Sequence, residues 1–231
     1  MKGIASILLF TVMAGTVGSA ASQSSTELPR NKREAAAAWT EDGLQNVKIK
    51  GLDVVYARPG SSLAGYTKVL LKPVEVAFRR DWGRSSTGGL SGRVRSEDAQ
   101  RIRERLMAVM AEETQKVLAE GGYALADAPG DDVLEIDASI RDLFITAPDI
   151  PSASFTKVYS LSAGEMTLVA ELRDSVSGET LMRVYDHAYA RESAYVHRIT
   201  NIENASEARA IAREWASKLR QQLDLAKGRG N

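Results

Sequence analysis

Two runs of alternating side-chain character meet at DSVSGE, residues 174–179, and this junction constrains the fold more than any other stretch. Upstream, Ala170 and Leu172 flank Glu171; downstream, Met182 and Val184 flank Arg183. A period of two places successive side chains on opposite faces of a strand. Taking Val176-Ser177-Gly178 as a three-residue loop, a type I turn closed by a left-handed glycine, sets Ser175 opposite Glu179, Leu172 opposite Met182 and Ala170 opposite Val184. The other face then pairs Glu171 with Arg183 and Thr167 with His187, the first a cross-strand charge pair. A slip of one residue would oppose Ala170 to Arg183 and lose that pair. The register therefore gives Asp174, Ser175 and Ser177 to the turn, where short polar side chains bond nearby backbone N–H groups, and not to a nucleophile working with His187. It also predicts an anomaly. Asp186 falls on the apolar face opposite Leu168, which calls for a bulge or for a partner to a partly buried carboxylate.

The remaining elements follow from periodicity. YTKVLLKPVEVAF, residues 66–78, reads as a strand that is at an edge or bulged at Pro73, whose nitrogen cannot donate to a ladder. In DDVLEIDASIRDLFI, Leu134, Ile136, Ala138 and Ile140 alternate with Glu135, Asp137, Ser139 and Arg141. A helix begins at Ser96 as N-cap, carries an apolar stripe of Ile102, Leu106, Val109, Met110, Val117 and Leu118, and stops at Gly121-Gly122. A last helix opens with a capping-box pattern, Asn204 to Glu207, and buries Ala208, Ile211, Ala212, Trp215, Leu219 and Leu223. Single-sided helices with alternating strands predict an α+β domain. The expected form is a two-layer sandwich, a mainly antiparallel sheet with two helices packed on one face.

Composition narrows the chemistry. The 231 residues include no cysteine, which excludes disulfides, thiolate metal sites and cysteine nucleophiles, and only two histidines, His187 and His197. Thirty basic residues balance thirty acidic ones, a net charge of zero that gives no support to nucleic-acid binding. No G-x-S-x-G or H-E-x-x-H motif is present, so no enzyme, cofactor or metal is expected, and a hydrolase using a scattered serine–histidine–aspartate set stands only as the second alternative. At the N-terminus Lys2 precedes an apolar run, Gly3 to Val17, and then small residues, the layout of a cleaved leader spanning residues 1–21. The run, about 15 residues, is short of the roughly 20 that span a bilayer, so no transmembrane helix is expected after leader cleavage. Without a cysteine the new N-terminus cannot be lipidated. Residues 22–44 read as a flexible tether with at most one helical turn, and residues 45–226 as a single domain.

GLDVVYARPGSSLAGYTKVLLKPVEVAF, LRDSVSGETL and REWASKLRQQLD, in that order and spacing, resemble a family of small proteobacterial envelope proteins, many of them lipoproteins, built on a domain of unknown function. The resemblance covers roughly residues 45–225. It implies an envelope location and an α+β sandwich, and carries no catalytic residues. The missing lipidated cysteine is a departure that implies a soluble, periplasmic form.

Two surfaces are candidates for function. The hairpin register aligns Arg183, Tyr185, His187 and Tyr189 on one strand face, expected to be open to an envelope protein or complex if both helices cover the other. The Gly/Ser/Arg loop 79–95 carries Arg79, Arg80, Arg84 and Arg93 around Trp82, expected as an exposed indole, and suits the anionic headgroups of lipid or lipopolysaccharide.

Overall fold

The computed structural model describes residues 28–82, 96–145, 163–189 and 201–229. Its elements are α1 (Lys32–Glu41), β1 (Gln45–Val47), β2 (Val54–Ala57), β3 (Lys68–Leu71), β4 (Glu75–Phe78), α2 (Ser96–Glu120), β5 (Ala124–Leu125), β6 (Val133–Ile145), β7 (Ala163–Asp174), β8 (Thr180–Tyr189) and α3 (Asn201–Ala226). The strands form one sheet in the order β1-β2-β8-β7-β6-β3-β5, with β4 also paired to β6. The protein is an α+β sandwich on a mostly antiparallel open sheet.

The three long strands β6, β7 and β8 are the frame, and their pairing follows side-chain chemistry. Leu172 opposes Met182, Glu171 opposes Arg183, Ala170 opposes Val184 and Thr167 opposes His187, as the alternation requires. The turn itself closes differently. The Asp174 N–H donates to the Glu179 carbonyl at 3.0 Å, so the loop is Ser175–Gly178, and a shift between Leu172 and Arg173 restores the register beyond it. Asp174 explains the longer loop: its Oδ1 accepts from Val176 N, Ser177 N and Ser177 Oγ at 3.1, 2.7 and 2.8 Å. Gly178 supplies the left-handed residue, φ 71°.

Pro73 breaks the 66–78 strand into β3 and β4, which add in line, and parallel, to the same edge of β6. Lys68 pairs Val133 through to Leu71 with Ile136, and Glu75 resumes at Ser139. The missing proline N–H falls in the gap.

Helices α2 and α3 pack on one face. Their stripes, including Ile102, Leu106, Val109 and Met110 with Ala208, Ala212 and Trp215, meet Ile140, Leu143, Met166, Leu168 and Val184 of the sheet. Helix α2 ends as its glycines require: Gly122 lies at φ 77°, and Tyr123 N returns to the Leu118 carbonyl at 3.0 Å. Helix α3 begins at Asn201, three residues before the expected start at Asn204.

The third helix is a correction. Where a tether over residues 22–44 was expected, α1 runs from Lys32 to Glu41 and lies on the opposite sheet face. Asn31 caps it, accepting from Arg33 N and Glu34 N at 3.1 and 3.0 Å. Ala35 and Trp39 are buried against Tyr56, Val169 and Tyr185, with Trp39 edge-on to Tyr56 at 5.8 Å. The apolar payload of Trp39, not helix propensity, accounts for the docking.

Candidate functional site

The row Arg183, Tyr185, His187 and Tyr189 does lie on one face of β8, yet it is not open along its length. Tyr185 is only 5% exposed, because α1 and Trp39 cover it. Burial pushes its phenol pKa upward, against a hydrogen bond with Thr167. Arg183 is tied down as well: it pairs with Asp42, the C-cap of α1, and with Glu171 at 3.3 Å. These two residues fasten α1 to the sheet. Their place in an exposed binding row is thereby corrected, and the reason is the unforeseen helix.

The far end of the row remains accessible. Tyr189 is 68% exposed and stacks on the His187 ring at 4.3 Å with a 24° interplanar angle. His187 Nε2 meets Glu165 Oε1 at 2.9 Å, and the His187 backbone N–H donates to Asp53 at 3.2 Å. Glu165 uses its second oxygen on Arg79: Nη1 donates to Oε2 at 2.9 Å. Arg79 is further fixed by Asp81 at 2.6 Å and by the Phe144 ring, 4.0 Å beneath the guanidinium. Arg79, at the end of β4, and His187 with Tyr189, at the end of β8, therefore converge on Glu165 of β7. Two candidate sets far apart in sequence become one patch, and Glu165 is the residue that sequence reasoning missed. Its pairing with Tyr189 across the hairpin was implicit in the register.

The arginine loop is altered by the same geometry. Trp82, expected to be exposed, is 5% exposed and stacks face to face on Phe78 at 4.1 Å. An indole of that size finds the core when a neighbouring ring offers a stacking partner. Arg80 is exposed; Arg84 and Arg93 lie outside the described residues.

Asp186 settles the anomaly in the hairpin without a bulge. It is 6% exposed on the helix-facing side of β8, and both its oxygens are used. Trp215 Nε1 of α3 donates to Oδ2 at 2.7 Å, and the Asp53 N–H donates to Oδ1 at 2.9 Å. Lys218 Nζ stands 4.0 Å away. Burial raises its pKa, and the two hydrogen bonds and Lys218 act against that. Asp186 thus pins α3 and the β1–β2 loop to the sheet.

The turn serines have structural partners. Ser175 Oγ lies 3.0 Å from both the N–H and the carbonyl of Gly130, and Ser177 is held by Asp174. They sit at the opposite end of β8 from His187. Among the described residues no group of three or more His, Asp or Glu is placed to hold a metal ion.

A family described as protein of unknown function (DUF3313) matches residues 40–219. No curated protein matches the chain. Among solved structures, the PelC dodecamer of Paraburkholderia phytofirmans is similar at 12% identity, covering 72% of this chain and 98% of that one, with a TM-score of 0.33. Protein XCC0632 of Xanthomonas campestris, of family DUF330, is similar at 11% identity over 74% of this chain and 91% of that one, TM-score 0.35. A minor lipoprotein of Acinetobacter baumannii is similar at 10% identity over 71% and 95%, TM-score 0.30. Likenesses of this size say nothing of activity or assembly in this chain. Among the described residues no helix is long and apolar enough to cross a membrane.

Proposed function

The chain belongs to the DUF3313 family of proteins of unknown function, and we propose that it acts by binding, as an exported accessory protein of the cell envelope. Its partner is an envelope protein, engaged through the patch of Tyr189, His187, Glu165 and Arg79, with no catalytic step of its own. The leader-like segment from Lys2 to Val17 supports export to the periplasm. The observation that carries the binding reading is Tyr189: a large aromatic ring, exposed, yet held in one orientation by stacking on a histidine that is itself hydrogen-bonded. Preorganised tyrosine is the usual anchor of a protein interface, because it adds contact area at little cost in side-chain entropy. The alternative, an anionic headgroup on the arginine loop, has less to stand on. Arg79 is neutralised by Glu165 and Asp81, and Trp82 is turned inward.

The test is Tyr189→Ser. An exposed substitution shifts stability by about 0.5 kcal/mol or less, so the melting temperature should hardly move. The yield of the protein's chemically crosslinked complex in intact periplasm should fall several-fold. Undiminished yield from a normally folded variant would remove the patch from the account.

A further inference from the structure

Between the sheet and the α2/α3 layer lies an apolar cavity of about 340 Å³. Its floor has a simple origin in sequence. Ala138 of β6 pairs with Ala170 of β7, which pairs with Val184 of β8, so three adjacent strands present short side chains in one transverse row. Ala111 of α2 and Ala216 of α3 leave the roof equally shallow. Large residues on either side of the row hold the layers apart, and Ala138 stays half-buried although it lies on the covered face of a strand near the sheet centre.

The space is open to solvent along one side, where Lys72, Pro73 and Ala111 of its lining are exposed, and a concave, mostly apolar cleft with few polar groups is the usual form of a small-ligand site. A space of this size and character therefore points to an occupant. Its dimensions say which kind. The lining runs from Ile49 and Leu52 in the β1–β2 loop, across β8, β7 and β6, to Pro73 and Val74 beside β3. Four interstrand steps make that about 19 Å, a length crossing the strands, which suits a chain and not a compact ring system. An apolar cavity of about 150 Å³ takes one benzene, so this one has room for on the order of a dozen carbons. Met107, Met110 and Met182 in the wall can adjust to a flexible ligand. The lining is mostly apolar, its polar members including Lys72, Thr114, Lys218 and Gln222.

We propose that the cavity between the sheet and helices α2 and α3 binds a single unbranched acyl chain. The chain lies across the Ala138–Ala170–Val184 row, and its polar head remains at the rim. Nothing in this depends on the Tyr189 patch, which is on the opposite face of the sheet.

The purified full-length mature protein should be titrated calorimetrically with hexanoate, octanoate, decanoate and dodecanoate, each below its micellar concentration, and with lauroyl lysophosphatidylcholine. Affinity is expected to climb by up to about fourfold per added methylene as far as dodecanoate. Binding of dodecanoate alone would assign a free fatty acid, and equal binding of the lysolipid a headgroup-tolerant acyl site. In Ala170→Phe the ring fills the floor; dodecanoate affinity should drop at least tenfold while the unliganded melting temperature is kept or raised. If that variant does not fold, Ala216→Leu in the roof serves the same purpose. Absence of chain-length dependence, or unchanged dodecanoate affinity in a folded cavity-filling variant, would overturn the proposal.

Discussion

Asp186 joins three elements through two hydrogen bonds, one from the Trp215 indole and one from the Asp53 backbone. Removing it strands one buried donor, the Trp215 indole, at about 1–3 kcal/mol, and one part-buried donor, the Asp53 N–H, at less. Asp186→Ala is therefore expected to lose about 2–4 kcal/mol in urea unfolding, more than any exposed acidic residue. Asp186→Asn should rescue only in part, because an amide presents a donor to one of the two N–H groups. A loss in Asp186→Ala as small as that of a surface aspartate would refute the pinning role. Glu171 differs in sign. Burial opposes its ionisation, but hydrogen bonds from Arg173 and Thr180 and the charge of Arg183 outweigh it and hold the carboxyl below its usual range. A depressed folded pKa contributes stability above the unfolded value, about 4.3, and that contribution disappears as the pH falls through the folded value. Glu171→Gln should thus be less stable than the parent at pH 7 and converge with it as the pH drops below about 4. A gap that stays constant across the pH series would contradict this.

At the scale of elements, α1 changes the character of the sheet face it covers. Trp39 is buried to 2% exposure against Tyr56 and Tyr185, so Trp39→Ala should cost about 3–5 kcal/mol and make the bond after Lys32 or Arg33 susceptible to trypsin in the folded protein. Unaltered stability would mean that the helix does not dock. The sequence carried a signal for it: Asn31 and Glu34 have the spacing of a cap, and four alanines and Trp39 follow. The signal is weak because a run of alanines has no apolar periodicity, and one tryptophan makes no stripe. By contrast the hairpin register was legible, since a one-residue slip would have put a charge against Ala170, and so was the interruption at Pro73. Long amphipathic helices were legible for the same reason, each apolar position repeating its neighbour's message. The extra loop residue and the compensating shift at Leu172/Arg173 were not, because Asp174 binds three donors in the turn and that geometry has no periodic trace.

At the scale of the whole molecule, the sheet separates two different surfaces. One face holds an apolar space beneath α2 and α3. The other is partly covered by α1, through Tyr185, Arg183–Asp42 and Lys32–Asp53, with Tyr189 exposed at the end of β8. Long-range convergence of Arg79, Glu165, His187 and Tyr189 could be read only from the three-dimensional pairing of strands separated by 86 positions. The central claim is that this end of the sheet is where the protein meets its partner. The most direct measurement places a photo-crosslinking amino acid at position 189 in the envelope of living cells, and separately at Val176, which is 62% exposed at the opposite end of β8. The account predicts one discrete protein adduct from 189 and none from 176. No adduct at 189, or the same adduct from both positions, would contradict it.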